Sequence, residues 1–174
     1  MTAAAVRSRP GPDQVGVRTV VGAGAVTVLV AAAQAGAVVP LWQQVTLLGL
    51  AVLTACWPDS SAGTLLLVGA AYVWAGVPES LTPWVLVAAT GMVFAHVAAM
   101  VAATGPAAVR IDRVQASRWA LRAAMVWIAA AVAWVMVVWM REVPAGRTSY
   151  ALGLLLLTVV AIAAAHWIST HRAP

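Results

Sequence analysis

His96 is the one ionisable side chain that lies deep in the apolar bulk of this 174-residue chain. An ionisable group in a lipid-like stretch is costly, and such groups mark proton relays, gates and ligand sites. A neutral imidazole is the least costly of them, because hydrogen-bond partners are enough to satisfy it. Three chemistries are open to His96. One is an interhelical hydrogen bond to Gln34, Thr54, Tyr72 or Thr90. Another is a role as proton carrier or gate. Axial haem ligation is a third, and it needs a second imidazole at the same depth. His166 is the available partner, with His171 farther along. His96 sits roughly eight residues inside its apolar run and His166 only two or three, a mismatch of about 8 Å at the helical rise. Haem is therefore disfavoured, and no cofactor is expected.

The remaining reactive residue types fall outside the apolar runs. Asp13, Asp59, Glu79, Asp112 and Glu142 all lie in expected loops or tails. Transport sites usually leave acids or broken helices at mid-membrane, and no such pair is visible. The sequence contains no Gly-rich phosphate loop, nucleophile elbow, HExxH or Cys/His metal spacing. Cys56 is the single cysteine, so it forms no intramolecular disulfide and reads as a small packing residue near a helix end. These residues point away from an enzyme and from a metal site.

The cations point to lipid rather than nucleic acid. All ten basic residues are arginine and the net charge is +5, yet the arginines flank hydrophobic segments and form no recognition motif. The densest group is Arg110, Arg113, Arg118 and Arg122. Arg118 and Arg122 are four apart, so they share one helical face. One reading of this group is topology and contact with anionic headgroups. The other is a docking surface for a cytoplasmic protein.

The elements that position these residues are membrane helices. The chain is 63% hydrophobic and 9% charged, with mean hydropathy +0.94. Soluble domains average about 25% charged residues, so this chain cannot cover a water-facing surface. Apolar runs predict six transmembrane helices at 19–39, 41–57, 63–78, 83–104, 119–140 and 150–168. A span takes about 20 residues, with a lower range near 17. The second and third runs are marginal and read either as a short spanning hairpin or as a re-entrant pair. Thr82 with Pro83, Ser117 and Ser149 are candidate helix starts. Pro40 and Gly105-Pro106 are candidate stops, and Pro58-Asp59-Ser60 reads as a turn that caps the third helix. Residues 1–18 read as a disordered cytoplasmic tail, 19–168 as one transmembrane domain and 169–174 as a short cytoplasmic tail. A cleaved signal peptide is the competing reading of the N-terminal run, which extends past a typical h-region.

Charge supplies the orientation. With both termini inside, the cytoplasmic side receives Arg7, Arg9, Arg18, Arg110, Arg113, Arg118, Arg122 and Arg172, eight in all, against Arg141 and Arg147 outside. That asymmetry is the positive-inside pattern. It favours an even number of crossings before residue 104.

Membrane helices associate through small residues and polar contacts, because lipid tails are as apolar as leucine. Gly91, Ala95, Ala99 and Ala103 recur every four positions and predict a smooth packing ridge on the fourth helix. Ala32 with Gly36, Ala33 with Ala37, and Gly69 with Gly76 offer smaller versions. Of nine tryptophans, Trp42, Trp57, Trp84, Trp119, Trp139 and Trp167 lie near expected helix ends, as an interfacial aromatic belt does. Trp74, Trp127 and Trp134 lie deeper. They read as space-filling, or more sharply as an indole-lined lipid or quinone groove.

Trp57-Pro58-Asp59-Ser60 with Gly63, Leu81-Thr82-Pro83-Trp84, His96, and Thr104-Gly105-Pro106 with Asp112-Arg113 resemble a loose class of small polytopic membrane proteins of high-GC Gram-positive bacteria. The likeness covers residues 57–113 and includes no catalytic signature. It implies a multi-pass plasma-membrane protein of the bacterial envelope. The expectation is an all-α, non-enzymatic integral membrane bundle, a scaffold or accessory subunit of an envelope complex. Its partners are the lipid bilayer and a membrane or cytoplasmic protein, with no nucleic acid. The alternative is a small transporter or channel that uses His96.

Overall fold

The structure is a computed structural model that describes residues 11–79, 81–103, 113–142 and Gly153. The described residues form five helices: α1 Pro12–Gln34, α2 Leu41–Cys56, α3 Ala62–Ala75, α4 Trp84–Ala103 and α5 Arg113–Glu142. No strand occurs among them. Three stretches, Pro12–Gln34, Trp84–Ala103 and Ala116–Arg141, are long and apolar enough to cross a membrane. The sixth expected helix at 150–168, with Ser149, His166 and His171, lies outside the described residues apart from Gly153.

Helix α1 begins and ends earlier than its apolar run. It starts at Pro12, so residues 12–18 are helix rather than tail. Proline at the first helical position has its φ already set, and its missing N–H belongs to the turn that lacks acceptors anyway. Asp13 lies in that first turn, where a carboxylate complements the helix dipole. The other end closes on Gly36, at φ +84°. The Gly36 N–H donates to the Ala33 carbonyl and the Ala37 N–H to the Ala32 carbonyl. That paired arrangement stops a helix on a left-handed glycine. Pro40 therefore does not end α1; Gly36 and Ala37 lie in its cap rather than in a continued small-residue ridge, and Ala37 packs with Ala32 and Val73.

The other starts also depart from their expected caps. Thr82 Oγ1 is buried with no hydrogen-bond partner. The Thr82 and Pro83 carbonyls instead accept the N–H groups of Val85 and Leu86, and α4 begins at Trp84. Ser117 lies inside α5, where its Oγ donates to the Val114 carbonyl at 2.8 Å. Between α2 and α3, Ser60 makes the turn. Its Oγ donates to the Trp57 carbonyl at 2.6 Å and accepts the Ala62 N–H at 3.3 Å, while Asp59 stays exposed.

The core of the first compact unit, Met1–Trp127, is made where α1 crosses α4. Val21, Ala25 and Val28 of α1 pack with Ala95, Ala98 and Ala99 of α4 and with Leu47, Ala51, Leu66 and Ala70 of the α2–α3 hairpin. The crossing is antiparallel and close. A Cβ placed on Gly24 would collide with the Gly91 carbonyl oxygen and come within 2.8 Å of Ala95 Cβ. A Cβ on Gly91 would come within 2.7 Å of the Gly24 carbonyl oxygen and 3.0 Å of Thr27 Cβ. Backbone meets backbone here, which is how small residues let membrane helices associate. Helices α2 and α3 are shorter, 16 and 14 residues, so at the helical rise they span about 24 and 21 Å. They pack through side chains, with the Gly69 Cβ position 3.3 Å from Leu47 Cδ1.

The second compact unit, Ile128–Pro174, contains the rest of α5. Within it, a Cβ on Gly153 would lie 3.1 Å from Met140 Sδ. Few residues of Ala116–Arg141 are fully buried. Leu121 in the first unit, and Ile128, Val132, Val135 and Val137 in the second, are large, apolar and exposed, which suits lipid.

Candidate functional site

Helix α4 divides the expected site residues between two faces. Gly91, Ala95 and Ala99 are buried on the α1-facing side, and Ala103 is half-buried at its end. His96 lies on the other face and is exposed. Residues 95 and 96 point about 100° apart around a helix of 3.6 residues per turn, so the ridge and the imidazole cannot share a partner. Gln34 and Tyr72 are exposed and hydrogen-bond nothing at His96. Thr54 Oγ1 donates instead to the Leu50 carbonyl at 2.8 Å.

Thr90, a further candidate partner for His96, is engaged elsewhere. The Trp127 indole Nε1 donates to Thr90 Oγ1 at 2.6 Å, and that hydroxyl donates onward to the Leu86 carbonyl at 2.6 Å. This relay ties α5 to α4. It gives the exposed Trp127 indole a polar partner for its N–H. The bond places Thr90 level with Trp127. Moving six residues along α4 from Thr90 reaches His96, and moving five back along α5 from Trp127 reaches Arg122.

His96 and Arg122 line one groove of about 320 Å³. Its walls are apolar: Leu67 of α3, Met92, Val93 and Val97 of α4, and Ala123 and Val126 of α5. Trp119 closes the end near Arg122. The Arg122 guanidinium carbon lies 5.2 Å from the centroid of the Trp119 ring, within reach of a cation–π attraction. Among the described residues no carboxylate pairs with Arg122, and no group hydrogen-bonds His96. The groove can therefore hold an anion at its basic end and an apolar chain along its walls. No group of three or more His, Cys, Asp or Glu that could hold a metal occurs among the described residues.

The remaining candidates are dispersed. Arg118 is exposed one turn before Arg122. Arg113 is the first residue of α5, and its side chain and all of Arg110 lie outside the described residues. Sequence reasoning missed two groups near the start of α1. Gln14 is 2% exposed, with Oε1 unpartnered, and one turn on Arg18 has a buried, unpartnered Nε. Reading residues 1–18 as tail hid both; the Pro12-Asp13 start signal could have revealed them. Comparison with known proteins adds no assignment: no family model, no curated protein and no solved structure matches the chain.

Proposed function

We propose that the protein is a non-enzymatic, multi-pass plasma-membrane protein of a bacterial envelope, acting as a scaffold or accessory subunit of a membrane complex. The observation that carries this reading is the contrast along the bundle. The α1–α4 crossing is locked backbone to backbone, while α5 exposes large apolar side chains along its length. A rigid core with an open apolar helix suits a protein that presents a span to lipid and to partner helices. The topology that fits the arginines has six spans and both termini in the cytoplasm, with α2 and α3 crossing as a short pair or returning together.

The test is affinity purification of the full chain from its native membrane in mild detergent, with quantitative mass spectrometry of what accompanies it. We expect a near-stoichiometric membrane or cytoplasmic protein. A chain that purifies alone under conditions that preserve other complexes contradicts the reading. The second reading, a small transporter or channel gated at His96, draws on the placement of His96 beside Arg122 in the groove. Its test is a proteoliposome flux that disappears in His96→Ala while the melting temperature is retained.

A further inference from the structure

We propose that the groove between α4 and α5 binds one anionic phospholipid, with Arg122 and His96 holding its phosphate and Met92, Val93 and Val126 receiving an acyl chain. The argument begins with charge. Arg122 is always protonated and carries five N–H donors in a planar fork. Stacking on Trp119 occupies a face of the guanidinium and leaves its edge donors free. No carboxylate among the described residues takes them. His96 lines the same groove and has no hydrogen-bond partner among the described residues. An oxygen-rich anion satisfies both groups at once, and bonds of that kind are the stronger, charge-assisted ones.

Depth selects a headgroup. Arg122 is six residues from Ala116, where the apolar stretch Ala116–Arg141 begins, a depth of about 9 Å. His96 is seven residues from Ala103, the last described residue of α4, about 10 Å. The two are level, and they lie near the end of the bundle where α4 finishes and α5 starts. Long arginine side chains reach outward to the headgroup layer from such depths. Trp119 lies between Arg122 and that helix end, a place that indoles favour. The walls then decide between a lipid and a free anion. Leu67, Met92, Val93 and Val126 contribute nothing to an inorganic phosphate, but they continue from the basic end as a track for a hydrocarbon chain.

This inference rests on the membrane-spanning reading and is independent of the accessory-subunit reading. The experiment uses the full chain. Alkaline carbonate extraction comes first: release into the supernatant removes the membrane reading, and retention leaves the lipid site to be judged alone. Retained protein in mild detergent is then mixed with equimolar dioleoyl phosphatidylglycerol and dioleoyl phosphatidylcholine and examined by native mass spectrometry. We expect one phosphatidylglycerol bound with about tenfold preference, the scale of a charge-assisted contact. Arg122→Gln abolishes that preference, His96→Ala weakens it about threefold, and Arg141→Gln in the last turn of α5 retains it. Arg122→Lys, which keeps the charge, retains a preference and controls for misfolding of the Gln variant. Equal retention of the two lipids by the wild type overturns the proposal, as does equal loss in Arg141→Gln. Displacement of phosphatidylglycerol by an equal concentration of inorganic phosphate also overturns it, by revealing a free-anion site.

Discussion

The two faces of α4 solve opposite problems. Toward α1 the helix offers glycine and alanine, and two backbones approach until there is no room for a Cβ at Gly24 or Gly91. Toward α5 it offers Met92, Val93 and His96, whose bulk holds the neighbour off and leaves a groove of about 320 Å³. Where the residues are small, two backbones meet; where they are large, a groove is left. The α2–α3 hairpin lies between these extremes, because the Gly69 Cβ position meets only the tip of Leu47.

The comparison breaks most visibly with a large residue at the crossing. Gly91→Leu puts a whole side chain where the Gly24 backbone lies, and we expect at least the upper end of ordinary overpacking losses, about 3 kcal/mol, as a large drop in detergent melting temperature. Unchanged melting would show that α1 and α4 do not meet there. Trp127→Phe keeps an aromatic ring but removes the donor to Thr90. The expected loss is about 0.6 kcal/mol, the average for interhelical bonds in membranes. A loss of several kcal/mol would mean that this bond, rather than apolar contact, fixes α5. Smallest of all is Gly69→Ala. Its new methyl displaces a flexible leucine tip, so we expect a change under about 0.5 kcal/mol of either sign, read by chemical denaturation in mixed micelles.

Much of this division was legible from residue size and almost none from polarity. Helices apolar on every side carry no amphipathic signal to say which face turns inward. The four-residue spacing of Gly91, Ala95 and Ala99 identified the close face of α4 because steric fit is written in residue volume. On α1 the same logic chose Ala32 with Gly36 and missed Gly24. A glycine's role depends on where its helix ends, and Gly36 was needed for the left-handed stop. His96 stands out in the sequence as the imidazole of an apolar run, but its neighbours do not. Arg122 lies 26 positions away on another helix, and only the α4–α5 register brings the two into one groove. Caps were read from side-chain preference, whereas Thr82 and Ser117 are used differently because carbonyl groups and earlier helix starts replace them.

The most direct measurement is a matched pair of variants two residues apart on one helix, Gly24→Ala and Gly22→Ala, compared by thermal unfolding in the same detergent. Nothing lies within 4 Å of a Cβ at Gly22, so its alanine should be neutral or add up to about 1 kcal/mol through helix propensity. Alanine at Gly24 should cost about 1–3 kcal/mol, because neither backbone can give way without moving its helix. Equal behaviour of the two variants, or a stable Gly24→Ala beside a damaged Gly22→Ala, would contradict the backbone-to-backbone crossing on which the bundle is built.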